Sequence, residues 1–218
     1  MKIRNIILGT FFILLTSCVV KSLNPFYTKE TISFDEHFLG NWTDSKKGIW
    51  KVVSFKDEIT KDNPLGKMKK DDLLLYKEYK NSYYIQRAYK GDESFFLVTP
   101  FKINNQKFLD FYPVEYQNDI ENLLESHLIY THSLVKYDVQ KNGDIEIKWL
   151  DEDKIEALFK EKKIKIKHEK IGLNNEKYLL TAKPKELQKF IKKYMTSNDT
   201  EKWKTSTEFT LSKINDTN

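Results

Sequence analysis

The chain has 218 residues, with 37 basic and 32 acidic side chains, 14% aromatics, seven glycines, five prolines and a single cysteine. That length suits one domain with a real core, and the low Gly and Pro content excludes a disordered or low-complexity chain. The basic excess is mild and spread along the sequence, which gives no reason to expect a nucleic-acid partner, and one cysteine excludes an internal disulfide.

The N-terminus comes first in chain order. Met1–Asn5 carries Lys2 and Arg4, and residues 6–15, IILGTFFILL, are uncharged and almost wholly apolar. As a helix this run is about 15 Å long, roughly half a bilayer core, and too short to span it. A basic start, a short apolar run and a small-residue exit predict a secretory signal peptide over residues 1–17. Its exit, Leu15-Thr16-Ser17-Cys18, resembles the lipobox of bacterial lipoproteins. The resemblance implies cleavage before Cys18, diacylation of its sulfur (palmitate-type chains) and acylation of the new amino terminus. The competing readings are an ordinary signal peptide with a spare cysteine, or a buried core cysteine.

The lipoprotein reading has physical consequences. As a thioether the lone thiol is inert, and each buried acyl CH₂ contributes about 0.8 kcal/mol, so several chains hold a protein on a membrane. It excludes a cysteine-nucleophile enzyme. Losing residues 1–17 takes two basic side chains from the 37, leaving 35 against 32. Cys18 with residues 19–24 would be an acylated tether, and residues 25–218 one β-rich domain. Position 19 is Val, not Asp, and no acidic cluster follows. The expected location is therefore the outer membrane, facing the periplasm.

Beyond the tether the pattern is mainly β. Ile49–Phe55 is rich in β-branched and aromatic residues and predicts a strand. Residues 56–72, with Asn63-Pro64 and Gly66, read as a long charged loop, and Leu73–Tyr79 as a further strand. Ser82–Tyr89, Phe95–Ile103 and Gln106–Tyr112 follow as strands, the last two joined at Asn104-Asn105. The period then changes. Ile120, Leu123, Leu124 and Leu128 predict a helix over 118–128. Strands resume at Ile129–Val139 and Asp144–Leu150. A helix opens at Asp151-Glu152-Asp153 and runs to about Lys162, where acid at the start and lysine at the end suit its dipole. Ile164–His168 and Lys177–Ala182 are further strands. Pro184 starts a helix with Leu187, Phe190, Ile191 and Tyr194 on one face, and Thr207–Lys213 is the final strand. The fold class expected is α+β and mainly β: an antiparallel meander with about three short helices, mostly in the second half. Closing into a barrel is the common way for such a meander to remove its edges.

Phe38-Leu39-Gly40-Asn41-Trp42 stands at the entry of the first strand. The Gly-x-Trp resembles the opening motif of lipocalins and other calycins. That resemblance implies a calycin-like barrel with Trp42 closing one end and a basic residue of the last strand, here Lys213, packed over it. Residues 184–195 would match the family's helix before its last strand. The second lipocalin motif, Thr-Asp-x-x-x-Tyr, is absent, and two additional helices interrupt the meander. The stretches SLNPFYT, FLGNW and FLDFYP are also similar to envelope lipoproteins of Bacteroidota-type bacteria, a likeness that implies a location but no activity.

Candidate site residues follow from strand alternation. Tyr83, Ile85, Arg87 and Tyr89 share one face, as do Phe108, Asp110 and Tyr112. If both faces are interior, Asp110 needs a partner, and Arg87 is the natural one because its fork matches a carboxylate. Such a pair would either anchor a ligand's polar head group or be purely structural. Tyr83, Tyr89, Phe95, Phe108 and Tyr112 would line a wall for a small apolar or amphipathic ligand. The histidines, His37, His127, His132 and His168, have no metal-ligand spacing, so no metal or other cofactor is expected. No Gly-x-Ser-x-Gly and no phosphate-cradling loop occurs, so no enzyme activity is expected. Residues 163–167, KIKIK, would present either a solvated strand face or a lysine face to anionic lipid. The function expected is a lipid-anchored binding module. The alternative is an interaction lipoprotein with a filled core, docking an envelope protein.

Overall fold

The computed structural model describes residues 19–114 and 128–214. In chain order the strands are β1 (Lys21–Ser22), β2 (Gly40–Asp44), β3 (Ile49–Ser54), β4 (Tyr83–Tyr89), β5 (Asp92–Ile103), β6 (Gln106–Pro113), β7 (His132–Val139), β8 (Ile145–Trp149), β9 (His168–Ile171), β10 (Lys177–Leu180) and β11 (Glu208–Lys213). The helices are α1 (Phe55–Thr60), α2 (Lys70–Tyr79), α3 (Glu152–Lys160) and α4 (Pro184–Met195).

Each strand from β2 to β8 pairs with the next, β8 pairs with β11, and β11 pairs back with β2. All these pairings are antiparallel, so the eight strands close into a calycin-like barrel with no free edge. α3, β9, β10 and α4 are inserted before the closing strand. β1 lies beside the start of β7 and parallel to β10, with β9 beyond, forming a ledge on the barrel wall.

Alternation along the strands fills two cores. The lumen holds Phe38, Trp42, Trp50, Tyr83, Ile85, Phe111, Tyr137, Ile147 and Leu211 among others, all buried. The outer core lies between the barrel wall, the ledge and the helices, and holds Phe26, Phe101, Phe108, Leu134, Ile155, Leu187, Ile191 and Trp203. The stripe on α4 supplies Leu187, Ile191 and Tyr194 to this layer, which is why its sequence period was legible.

Some elements differ from expectation. Residues 56–72 are not a loop, and 73–79 is not a strand; α1 and α2 occupy them. Ser54 caps α1, its Oγ accepting from the Asp57 N–H, with Asp57 and Glu58 in the first turn. α2 buries no residue fully, so it leaves no 3.6-residue stripe, and three consecutive leucines mimic a strand. Residues 164–167 lie outside any strand, and the strand begins at His168. The helix expected over 118–128 lies, but for Leu128, outside the described residues, as does Cys18.

Residues 19–24 are not a tether but part of the fold. Val19 bridges to Asp151, the Val20 N–H donates to the Leu150 carbonyl at 3.1 Å, and Lys21–Ser22 is a strand between β7 and β10. Val20 is 2% exposed and packs in the outer core. Two valines before a strand satisfy burial as readily as they would a linker, so composition did not separate the two.

Candidate functional site

Three polar constellations are tied to the barrel. The first closes one end. Trp42 donates from Nε1 to the Phe38 carbonyl at 3.0 Å, and the Lys213 ammonium sits 5.3 Å from the Trp42 ring centroid, with the two residues paired across β11 and β2. Gly40 has φ of +123°, and a Cβ there would stand 3.3 Å from Lys213 Cε, so the Gly-x-Trp spacing leaves room for the lysine stem. Asp35, on the segment entering this end, accepts from Lys107 Nζ at 2.6 Å and exchanges backbone hydrogen bonds with the Tyr83 hydroxyl.

Burial pushes the Asp35 carboxyl up, but Lys107, the His37 ring and the His37 N–H outweigh it, and its pKa falls to about 2. A carboxyl lowered by folding stabilises the native state above its unfolded pKa and loses that contribution as pH falls through the folded one. The melting temperature should therefore drop between about pH 4 and pH 2. Asp35→Asn should flatten that segment of the profile. Parallel profiles in thermal melts would show that Asp35 is not the group responsible.

The second constellation holds the other mouth. Asp44 accepts from the Lys46 and Gly48 N–H groups through Oδ1, and from Trp50 Nε1, Arg87 Nε and Arg87 Nη2 through Oδ2, at 2.7–2.9 Å. Arg87 lies 4.9 Å from the ring centroids of both Tyr89 and Phe209. Burial raises the Asp44 carboxyl, yet the Trp50, Gly48 and Arg87 donors bring it below its ordinary value. This is the partner Arg87 has, so the expected Arg87–Asp110 pair is not formed.

The reason is register. Val98 stands opposite both Tyr83 on β4 and Phe111 on β6. Phe111, not Asp110, therefore shares the inward face of Tyr83, and Phe108, Asp110 and Tyr112 point out of the barrel. The expected aromatic wall is split. Tyr83 is in the lumen and Tyr89 is at its mouth. Phe95 stacks on Tyr84 outside, and Phe108 lies in the outer core beside Phe101 and Trp203. No single surface carries all five, and the lumen itself is occupied by side chains.

The third constellation surrounds Asp110 and is the candidate site. β7 places Leu134 opposite Asp110, so His132, two residues away, is Asp110's diagonal neighbour on the same outer face. Asp110 Oδ1 and His132 Nδ1 are 2.6 Å apart, and Oδ2 accepts from the Phe26 N–H at 2.6 Å. The Asp110 side chain is 1% exposed and that of His132 15%. A carboxylate can only accept, so the proton of this bond sits on Nδ1, and Nε2 is the nitrogen left for a ligand. Nε2 has no partner among the described residues. The Tyr112 ring lies 4.8 Å from the imidazole.

His132 lines two hollows outside the barrel. A smaller one, about 220 Å³, has Asp110, Tyr112, Tyr130, Thr99 and Leu23 around it. A larger one, about 660 Å³, runs between residues 25–30, the end of α2 and the start of α4. Tyr27, Tyr79 and His132 belong to both, so the two hollows adjoin and are described together as the cleft. The Lys29–Glu78 ion pair, 2.8 Å, flanks it. Burial raises the Tyr27 and Tyr79 hydroxyls above the ordinary tyrosine range, so both stay protonated as neutral donors at neutral pH.

The sequence pointed to Asp110 and Tyr112 but not to His132, Tyr27 or Tyr79. His132 is 22 residues from Asp110 and is brought to it only by β6–β7 pairing. Tyr27 arrives because the segment SLNPFYT crosses the outer face. Phe26 is fully buried, and Asn24 Nδ2 donates to the Ala182 carbonyl at 3.1 Å.

The arrangement can orient a ligand through His132 Nε2 and the Tyr79 hydroxyl, with the Tyr27 hydroxyl bonded to Thr99, in a cleft of mixed polar and apolar lining. Among the described residues no hydroxyl is hydrogen-bonded to His132, and no group of three His, Cys, Asp or Glu side chains is placed to hold a metal. No described helix is long and apolar enough to cross a membrane. Compared with known proteins, the chain matches no family model, no curated protein and no solved structure.

Proposed function

We propose that the protein is a lipid-anchored bacterial envelope protein that binds a small amphipathic ligand, without catalysing a reaction, in the outer cleft at His132. The anchor is read from Leu15-Thr16-Ser17-Cys18, and the expected location remains the outer membrane, facing the periplasm. The observation that carries the binding reading is the buried Asp110–His132 pair lining the smaller hollow, with His132 also bordering the larger one. The buried carboxylate fixes the imidazole, so its second nitrogen is held in place for a polar group of a ligand that enters the hollow. The ligand site is therefore outside the barrel and not in its lumen.

A second reading is an interaction lipoprotein without a ligand. The filled lumen favours it, as do Leu65, Leu74 and Leu75, which are 46–56% exposed on the α1–α2 arm and are apolar side chains a protein partner would cover.

Native mass spectrometry of residues 19–218, gently purified, tests the choice. The binding reading expects a mass excess that is lost on denaturation and lost in His132→Ala. An excess that survives His132→Ala would place the ligand elsewhere. A bare mass would shift the weight to the interaction reading.

A further inference from the structure

Residues 162–167 read KKIKIK and leave the C-terminal turn of α3, where Lys162 has φ of +56°, without joining a strand. Ile166 is buried in the outer core and Ile164 packs against it, while Lys163, Lys165 and Lys167 are exposed. α4 runs alongside and exposes Lys189 and Lys193 on the same side. Between them lies a groove of about 640 Å³, lined by six lysines and floored by Ile164, Ile166 and Phe190.

The charge in this groove is only partly compensated. Its one acidic residue, Glu186, uses its carboxylate to accept the Lys183 N–H at 3.0 Å. Lys163 pairs with Glu161 at 2.6 Å, outside the groove lining. Among the described residues, no carboxylate lies within ion-pair distance of Lys162, Lys165, Lys167, Lys189 or Lys193. Like charges gathered at this density repel one another unless an anion joins them, and folded surfaces ordinarily intersperse the two signs. The apolar floor adds a second requirement. A free inorganic anion would use the lysines and leave Phe190 and Ile164 unused. An anion on an apolar stem uses both.

We propose that this groove seats the phosphate head groups of anionic lipids, so that the domain rests on a bilayer through residues 162–167 and α4. Val20 shares the buried outer core with Ile166, Leu187 and Ile191, so the chain enters the fold in the same layer that carries the groove. Glu186 borders both this groove and the His132 cleft, but none of the six groove lysines lines that cleft, and the contact does not need the acyl anchor.

The test is cosedimentation of residues 19–218, which contain every described element, with phosphatidylcholine vesicles made with and without phosphatidylglycerol. Two variants of equal charge change are compared. One carries Lys165→Glu, Lys167→Glu, Lys189→Glu and Lys193→Glu. The other carries Lys56→Glu, Lys61→Glu, Lys69→Glu and Lys70→Glu, exposed on the α1–α2 arm. Each lysine at an anionic surface is worth about fivefold in binding. The groove variant should therefore lose at least about a hundredfold, and the arm variant only severalfold. Unchanged melting temperatures confirm that both variants fold. Equal losses in the two variants, or no preference for phosphatidylglycerol, would overturn the proposal. So would complete displacement from vesicles by inorganic phosphate at constant ionic strength, which would make this a free-anion site. None of these outcomes bears on whether a ligand copurifies at His132.

Discussion

Asp44→Ala should cost about 3–5 kcal/mol, the range for removing one partner of a buried ion pair. For a chain of this length that is a fall in melting temperature of roughly 6–20 °C. The Asp44 side chain is fully buried and that of Arg87 is 17% exposed. Its loss would strand the Arg87 guanidinium, the Trp50 indole N–H and the two turn amides at once. Asp44→Asn should rescue little. One face of the amide still accepts from Lys46 and Gly48, but the other then presents an NH₂ to Trp50 and Arg87, so donor meets donor. Arg87→Lys should also cost stability, because a point charge cannot replace the fork or its stacking between Tyr89 and Phe209. Denaturant unfolding followed by tryptophan fluorescence measures all three. Asp44→Ala unfolding within about 1 kcal/mol of the parent would show that the mouth is held by packing alone.

The mouth and the candidate site show what sequence reasoning reaches. Alternation within a strand is local, and it correctly grouped Tyr83 with Arg87 and Phe108 with Asp110. Which of two such faces points inward depends on cross-strand register, and a shift of one residue reverses it. The Val98 pairings put Phe111 inside and Asp110 outside. Each charge then found another partner, Asp44 for Arg87 and His132 for Asp110. The barrel was legible because strands and turns recur along the chain, and Gly40-x-Trp42 with Lys213 marked its closed end. α3 and α4 were legible from their caps and stripes. α2 was not, since a helix that buries no residue fully has no period to detect.

The segment 19–31 was the larger omission. Its composition suggests a tether over 19–24 and gives no element over 25–31 at the start of the domain, yet it supplies β1, the Phe26 N–H to Asp110, and Tyr27 in the cleft wall. Pairing of a two-residue strand, and a backbone amide aimed at a carboxylate 84 residues away, have no local signature. The lysines of 163–167 were visible in sequence as one face of a strand. Only the packing of α4 beside them turns that face into a groove.

Asp110 separates structure from binding through two substitutions. Asp110→Ala leaves the buried Phe26 N–H and His132 Nδ1 without a partner and should cost about 3–5 kcal/mol. A melting temperature unchanged from the parent would remove Asp110 from any structural role. Asp110→Asn is different. Its carbonyl oxygen can accept from Phe26, and its NH₂ can donate to Nδ1 of a neutral His132, so every bond is kept and the cost should be below about 1.5 kcal/mol. The imidazole tautomer is inverted, however. Nδ1 becomes the acceptor, and the proton moves to Nε2, the nitrogen left for a ligand. If the cleft binds through an acceptor at Nε2, Asp110→Asn should fold like the parent and lose the copurified mass. Retention of that mass in a well-folded Asp110→Asn would place the ligand's contacts on Tyr27 and Tyr79 instead, and would reduce the Asp110–His132 pair to a structural clamp on the N-terminal segment. A two-dimensional NMR spectrum of the imidazole nitrogens reads the tautomer directly, so the loss of ligand and its cause can be measured on the same sample.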